Sequence, residues 1–308
     1  MKAVRIHSYG DPGVLQYEDA PEPILHPADV VLAVVGASVN PIDWKIRRGQ
    51  FKNVIPHALP LILGMDIAGT VERVGDEVTQ FKFGDAVYAK TEILRLGAYA
   101  ENAGVRADLA APAPLSIPLY QAAAIPLAAS TAWTALHDDA RIKPGETVLI
   151  HAASGGVGMF AVQLARHWKA RVIATTSAAH VELVKSLGAD EVIDYRTEDF
   201  SVSVKDADVV LDAIGGEVQA RSFKVLRKGG ILLSLAGPVD EELAKQHGVR
   251  GKTVQGWSDG ERLKEIAELV DAGVLKVIIG KELPLSEART AHELSESGHA
   301  TGKIILRV

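Results

Sequence analysis

From Thr147 onward the chain repeats one alternation that few folds can accommodate. Five short aliphatic and β-branched runs, TVLIHA (147–152), RVIATT (171–176), EVIDY (191–195), DVVLDAIG (208–215) and ILLSLAG (231–237), are each separated by a segment with helical spacing. Runs of this kind lack a polar face, so both sides of the sheet they form need cover, and a helix after each strand supplies it. The pattern predicts a parallel sheet with helices on both faces. In the first connecting helix Val157, Ala161, Leu164, Ala165 and Trp168 fall on one face. A second amphipathic helix is read at GERLKEIAELVDAG (260–273), with Leu263, Ile266, Leu269 and Val270 on one side and Gly273 as its stop.

The first third of the chain has a different grain. DVVLAVVGASVN (29–40), DIAGTVERVGDEV (66–78) and GDAVYAK (84–90) are β-rich runs between glycine and proline turns with no helical period, which predicts a mostly antiparallel, barrel-like domain. Leu109 to His137 carries no charge, but Pro112, Pro114, Pro118 and Pro126 interrupt it. It is therefore read as a crossing between domains followed by a helix, not as a membrane span. The end of the chain returns to β runs around one helix and is expected to rejoin the first domain. The expected boundaries are 1–118, 119–256 and 257–308.

HAASGGVGMF (151–160) joins a predicted strand to a predicted helix and spaces Ala153, Gly155 and Gly158 as a dinucleotide fingerprint spaces its glycines. A helix N-terminus carries unpaired N–H groups and a partial positive charge, so it holds a pyrophosphate once no side chain blocks the approach. Gly155 and Gly156 remove that obstruction. Folds that bind NAD place an acid at the end of the second strand for the ribose 2′-hydroxyl. Here that strand ends ATTSAAH. Thr176 and Ser177 offer donors, and His180 is either a proton-sharing partner for a 2′-phosphate or a solvated helix residue; NADP(H) is the expected cofactor. Tyr195 either lies beside the adenosine or covers the sheet end.

Composition narrows the partners. A net charge of -6 without a basic, aromatic-rich patch argues against nucleic acid, and the absence of cysteine excludes disulfides, thiolate zinc sites and a cysteine nucleophile. The opening MKAVRIHSYG has charges at Lys2 and Arg5 and no apolar run. Cytoplasmic residence, with small molecules as partners and no membrane, is the expectation.

Together these segments resemble the medium-chain dehydrogenase/reductase superfamily in its zinc-independent quinone and enone reductase branch. The resemblance runs through SVNPIDWKIRRGQF, LGMDIAGTVERVGDEVTQFKFGDAVYA, GAYAE, LAASTAWTAL, KPGETVLIHAASGGVGMFAVQLA, SLGADEVIDYR, VVLDAIGG, VLRKGG and GKIILRV. It implies an α/β chain in which a Rossmann doubly wound parallel sheet is inserted into a GroES-like β-barrel catalytic domain, with the active site in the cleft between them. It further implies a homodimer through edge strands of the Rossmann sheets. Thr131 and the Ser154–Gly155–Gly156–Val157 backbone become cofactor contacts, with Leu235 and Ala236 near the nicotinamide.

Zinc-dependent relatives have a cysteine ligand where this chain resembles them at Asn40 and a histidine at Met65, and neither residue suits catalytic zinc. The expected reaction is hydride transfer from NADPH to a quinone or an α,β-unsaturated carbonyl, helped by a donor near the developing enolate oxygen. Other readings are reduction of another acceptor such as an enoyl thioester, or a non-catalytic NADPH-binding module. The candidates for the donor are Lys45, which is otherwise a solvent-facing lysine, Asn40, which is otherwise a helix cap, and Tyr99, which is otherwise a buried barrel residue. Asp43 is expected to hold Lys45 or Arg47, or to be a first-turn acid. His151 and Asp212 stand open between cofactor contact and structural duty.

Overall fold

The computed structural model describes residues 1–308, which divide into two compact units. One contains Met1–Leu127, Ser258–Gly273 and Val277–Val308; the other contains Ala128–Trp257 and Val274–Lys276. In chain order the first unit supplies β1 (Lys2–Ile6), β2 (Leu15–Asp19), β3 (Asp29–Val39), β4 (Leu61–Ile62), β5 (Asp66–Val74), β6 (Ala86–Lys90), β7 (Asn102–Arg106) and β8 (Ala110–Pro112). The second unit supplies β9 (Thr147–Ile150), β10 (Arg171–Thr176), β11 (Glu191–Asp194), β12 (Ala207–Asp212), β13 (Leu226–Ser234) and β14 (Arg250–Thr253). Back in the first unit come β15 (Ile279–Pro284) and β16 (Lys303–Arg307).

In the first unit β2-β1-β4 form a small antiparallel sheet, and β15-β16-β3-β5-β6-β8 form a larger one, with β7 also on β3. Every pairing is antiparallel except that of β15 with β16. Alternate residues of these strands point inward, and Val4, Ile6, Leu32, Val34, Ile67, Val87, Ile304 and Leu306 meet in one apolar core. Fully burying a side chain of this size contributes about 1.5–3 kcal/mol relative to leaving it in water. The C-terminal segment thus belongs to the first unit through a central position in its sheet, not as an appendage.

The second unit is the doubly wound parallel sheet expected from the alternation, ordered β11-β10-β9-β12-β13-β14 with every pairing parallel. The order reverses direction at β9, which puts the ligand-binding crevice of this architecture at the carboxyl ends of its strands. Two details differ from the sequence reading. β14, RGKT, escaped notice because all four of its residues are exposed, so this edge strand has no apolar run. The helix Gly156–His167 is buried continuously from Gly158 to Ala165, not on one stripe, while Val157 and Trp168 are only half-buried. Its outer side is covered by the segment at Lys276, which exchanges two hydrogen bonds with the Gln163 amide. No helix is long and apolar enough to cross a membrane.

Candidate functional site

In the second unit the glycine loop turns sharply between β9 and the helix Gly156–His167. Ala152 takes a positive φ of 51°, a strained setting for a residue with a Cβ. Gly158 lets the helix press against this turn: a Cβ there would stand 2.3 Å from the Ala152 carbonyl oxygen and 2.7 Å from the Ala153 Cα. Gly155 occupies the N-cap, with extended backbone and no side-chain acceptor for the first-turn N–H groups. An anion therefore finds both open approach and unsatisfied donors.

Around that end the nominated residues are placed as follows. The Thr176 hydroxyl donates to Ser154 Oγ (2.9 Å), joining the end of β10 to the glycine loop. Ser177 precedes the short turn Ala178–His180 and accepts from the His180 N–H. Tyr195, about half exposed, follows β11 and donates its N–H to the Thr176 carbonyl, so it lies beside the end of β10. Its neighbour Arg196 holds its guanidinium carbon 5.8 Å from the Tyr195 ring centroid. Sequence reasoning missed this cation because it searched along the second strand, and the charge arrives from the third. The Leu235 N–H donates to the Asp212 carbonyl, and Ala236 approaches Gly215, where loops after β12 and β13 line a cavity of about 560 Å³. Thr131 stands apart from these contacts, its hydroxyl packed against Gly256.

Two open alternatives resolve as structural. His151 is buried, with Nδ1 3.0 Å from Thr175 Oγ1 and Nε2 2.9 Å from Ser222 Oγ, and burial pushes its pKa down to about 4 despite the charge of Asp212. Asp212 Oδ1 accepts from the N–H groups of Ile214 and Gly215 (both 2.9 Å), shaping the loop that follows.

The first unit contains a buried polar cluster. Asn40 Nδ2 donates to Asp66 Oδ2 (2.9 Å) and faces the Ser38 carbonyl (3.4 Å), while its Oδ1 accepts from Lys303 Nζ. Asp66, fully buried, also accepts from Ser38 Oγ (3.1 Å) and from the Leu127 N–H (3.0 Å), and Lys303 Nζ lies 3.8 Å from its Oδ2. Burial raises the pKa of Asp66 and lowers that of Lys303, each opposed by the other's charge. Asn40 precedes the helix Pro41–Arg47 and offers it a backbone cap only, its N–H donating to Asp43 Oδ2 (2.8 Å).

A second chain of hydrogen bonds converges on Asp43. A guanidinium can only donate, so Arg47 Nη1 donates to His292 Nδ1 (3.1 Å), and the proton of that imidazole sits on Nε2. Nε2 faces the Tyr99 hydroxyl (3.2 Å), which donates to Asp43 Oδ2 (2.9 Å). Gly64, at φ 90°, makes room for the Tyr99 ring, since a Cβ there would lie 2.3 Å from it. Burial and the Arg47 charge hold His292 down to about 3, and burial pushes Asp43 up to about 7 against the bonds from Asn40 and Tyr99. Asp43 Oδ1 is buried without a partner.

Two donor assignments for this unit need correction, and Asp43 takes the second of its two readings. Asn40 has both amide hydrogens engaged within the cluster, so it has none to offer a substrate oxygen. Tyr99 is fully buried with its O–H committed to Asp43, which removes it as a proton donor. Asp43 holds neither Lys45 nor Arg47 and is instead the first-turn acid of its helix; Arg47 is taken by Gly10, His292 and Glu296. Lys45 is half-buried, its ammonium 5.6 Å from the Trp44 ring centroid.

These arrangements have counterparts among known proteins. Residues 26–115 match the model of the alcohol dehydrogenase GroES-like domain, and residues 187–306 match that of the zinc-binding dehydrogenases. The chain is 34% identical to the quinone oxidoreductase of Mus musculus, covering 99% of this chain and 97% of the relative. It is 36% identical to the chloroplastic NADPH-dependent alkenal/one oxidoreductase of Arabidopsis thaliana, covering 99% of this chain and 79% of the relative. The crystal structure of Escherichia coli quinone oxidoreductase complexed with NADPH superposes with a TM-score of 0.90 at 31% identity over the whole of both chains. The chain belongs to the medium-chain dehydrogenase/reductase superfamily, in its quinone oxidoreductase and alkenal/one reductase branch.

Some members of that superfamily hold catalytic zinc, and the residues of this one do not fit it. Asn40 and Met65 stand at the expected ligand positions, the Lys303 ammonium already occupies Asn40 Oδ1, and no group of three or more His, Cys, Asp or Glu side chains is arranged to hold a metal. A cationic side chain sits within the polar cluster, where a zinc ion would be repelled by it. The cofactor end fits a dinucleotide better: the uncapped helix suits a pyrophosphate, and no acid closes the end of β10 to a 2′-phosphate.

Proposed function

We propose that this chain is an NADPH-dependent, metal-independent reductase of quinones or α,β-unsaturated carbonyls. The observation that carries the reading is the uncapped glycine-loop helix beside an acid-free strand end. Ser154, Gly155, Gly156 and Val157 hold the pyrophosphate, while Thr176, Ser177, His180 and Tyr195 hold the adenosine ribose and its 2′-phosphate, with Arg196 supplying the charge. Leu235, Ala236 and Thr131 bound the nicotinamide ribose and ring. NADPH supplies a hydride to the electron-poor acceptor when bound.

The protein's own part is orientation and charge. Asn40, Asp66 and Lys303 fix the framework around the helix Pro41–Arg47, and Tyr99 with His292 holds Asp43 in register. Among the residues nominated from sequence, Lys45 alone keeps N–H groups available for an acceptor oxygen. Without a Lewis acid, acceptors already polarised by conjugation are the ones this equipment serves. A homodimer through the exposed edge strand β14 completes the proposal, and light scattering tests it.

The test of function is NADPH oxidation with an ortho-quinone and with a short-chain conjugated enone, in the presence of chelator and against NADH. Chelator-insensitive turnover of either acceptor that prefers NADPH supports the reading. Binding of NADPH without reduction of either acceptor overturns it.

A further inference from the structure

We propose that Trp257 is the surface on which the acceptor is laid and that it selects planar, electron-poor rings over open-chain carbonyls, an assignment that rests on the reductase reading above. All the residues concerned belong to the second unit. β14 pairs in parallel with the end of β13, and Val254 continues that pairing by donating its N–H to the Ser234 carbonyl (2.9 Å). Beyond Val254 the chain therefore leaves the sheet at the carboxyl ends of its strands, the side on which this architecture binds its ligand. Leu235 and Ala236, read above as bounding the nicotinamide, leave β13 at the same end. Trp257 comes three residues after Val254, so its Cα lies no more than about 11 Å from that of Val254.

The backbone that carries this indole is held in place. Gly256 runs flush against Thr131, because a Cβ at 256 would stand 2.4 Å from the Thr131 hydroxyl oxygen. Trp257 donates its N–H to Thr134 Oγ1 (3.3 Å), and its carbonyl receives the same hydroxyl at 3.5 Å. Even so, Trp257 is 61% exposed. The other two tryptophans of this unit are committed to packing. Trp133 and Trp168 meet edge to face with centroids 5.2 Å apart, and the His137 ring stands against both at 5.6 and 5.5 Å.

Indole chemistry decides what such a surface takes. Among aromatic side chains the indole offers the most strongly negative face. A quinone ring is flat and drained of electrons by its two carbonyls, so its face carries the opposite sign and stacks on the indole. An open-chain enone has no ring and covers little of it. The indole also turns about two angles only, so ordering it under a ligand costs little conformational freedom. A single exposed apolar residue is ordinary on a protein surface. What separates Trp257 is its position at the strand ends beside Thr131, on a backbone already fixed.

Two measurements test this. The first needs no turnover: the chain, with NADP⁺ present, is titrated with phenanthrenequinone, and a long-wavelength absorbance band reports charge transfer from an indole stacked on the quinone. The wild type is expected to give the band, Trp257→Phe to shift it to shorter wavelength because phenyl is the poorer donor, and Trp257→Leu to lose it. No band in the wild type, or the same band in Trp257→Leu, overturns the assignment.

The second is kinetic. Trp257→Leu is expected to raise KM for phenanthrenequinone about 3–10-fold, the worth of one aromatic pair, and to leave kcat, the KM for methyl vinyl ketone and the Kd for NADPH unchanged. Trp257→Phe should restore most of the quinone KM. Equal losses for the two acceptors, or weaker NADPH binding, would show that the indole supports the fold or the cofactor, and would overturn the assignment. If no acceptor is reduced yet the band forms through Trp257, the reductase reading fails and the ring surface stands. If both acceptors are reduced and Trp257→Leu changes neither the band nor the ratio of the two KM values, the reading stands and Trp257 is excluded.

Discussion

Lys303 is the residue whose loss the first unit should feel most. Its side chain is 4% exposed, its ammonium donates to Asn40 Oδ1 and faces the Val39 carbonyl at 3.3 Å, and the Asp66 carboxylate lies 3.8 Å away. Lys303→Met keeps the length of the side chain and removes the charge. The Asp66 carboxylate, 0% exposed, then loses its nearest cation, and only Lys90, opposite it on β6, still acts on it. Breaking a buried pair in this way costs about 3–5 kcal/mol. At about 2–4 °C per kcal/mol for a domain of this size, melting should fall by roughly 6–20 °C. The cost shrinks on acidification, because Asp66, already raised by burial, takes up a proton and no longer needs the cation.

Asp66→Asn together with Lys303→Met should recover much of the loss. The new amide still accepts from the Leu127 N–H, and Asn40 can turn its own amide so that its Oδ1, released by the lysine, accepts from it. Calorimetry on the two single variants and the double variant at neutral pH gives the coupling directly. The reasoning requires the double variant to be at least as stable as Lys303→Met. Additivity of the two single losses within about 0.5 kcal/mol would refute it, because independent sites behave in that way.

Three further predictions follow from the buried groups and the cofactor end. His151 and His292 are held neutral in the fold at about 4 and about 3, below the unfolded value of 6.5, so stability falls as the pH drops below 6.5. The His151 part is about 3 kcal/mol by pH 4. Asp43, raised to about 7, works in the opposite sense and destabilises as the pH rises from 4 through 7; urea titrations of the wild type and His151→Asn across this range separate the contributions. Gly158→Ala sets a Cβ against backbone atoms that cannot yield, so a loss of about 1–3 kcal/mol is expected by thermal denaturation, with weaker NADPH binding by calorimetric titration. Arg196→Ala should raise the Kd for NADPH roughly tenfold and leave that for NADH unchanged, the worth of one charge-assisted hydrogen bond.

What could be read in the sequence was what the backbone and local pattern determine. The β-branched runs at 147–152 and 171–176 leave a parallel sheet as the arrangement that buries both their faces, and the spacing of Ala153, Gly155 and Gly158 reflects a turn in which a Cβ at 158 has no room. The expectation of NADP(H) was also read locally, from an absent acid at the end of β10. The polar cluster follows a different logic. Asn40 meets Lys303 across 263 positions, Arg47 meets His292 across 245, and Tyr99 meets Asp43 across 56.

No periodicity announces such pairs, because the first two are made by the return of the helix Ala288–Glu296 and β16 onto elements laid down much earlier, and the third by the segment before β7 meeting the helix Pro41–Arg47. Asn40, Tyr99 and Asp43 each take the structural side of the alternatives open in the sequence, as a helix cap, a buried barrel residue and a first-turn acid, because three-dimensional partners had already claimed side chains that looked available. An available donor is a property of the network, so a candidate catalytic residue in such a site is identified by subtraction, after the hydrogen bonds of its neighbours have been assigned.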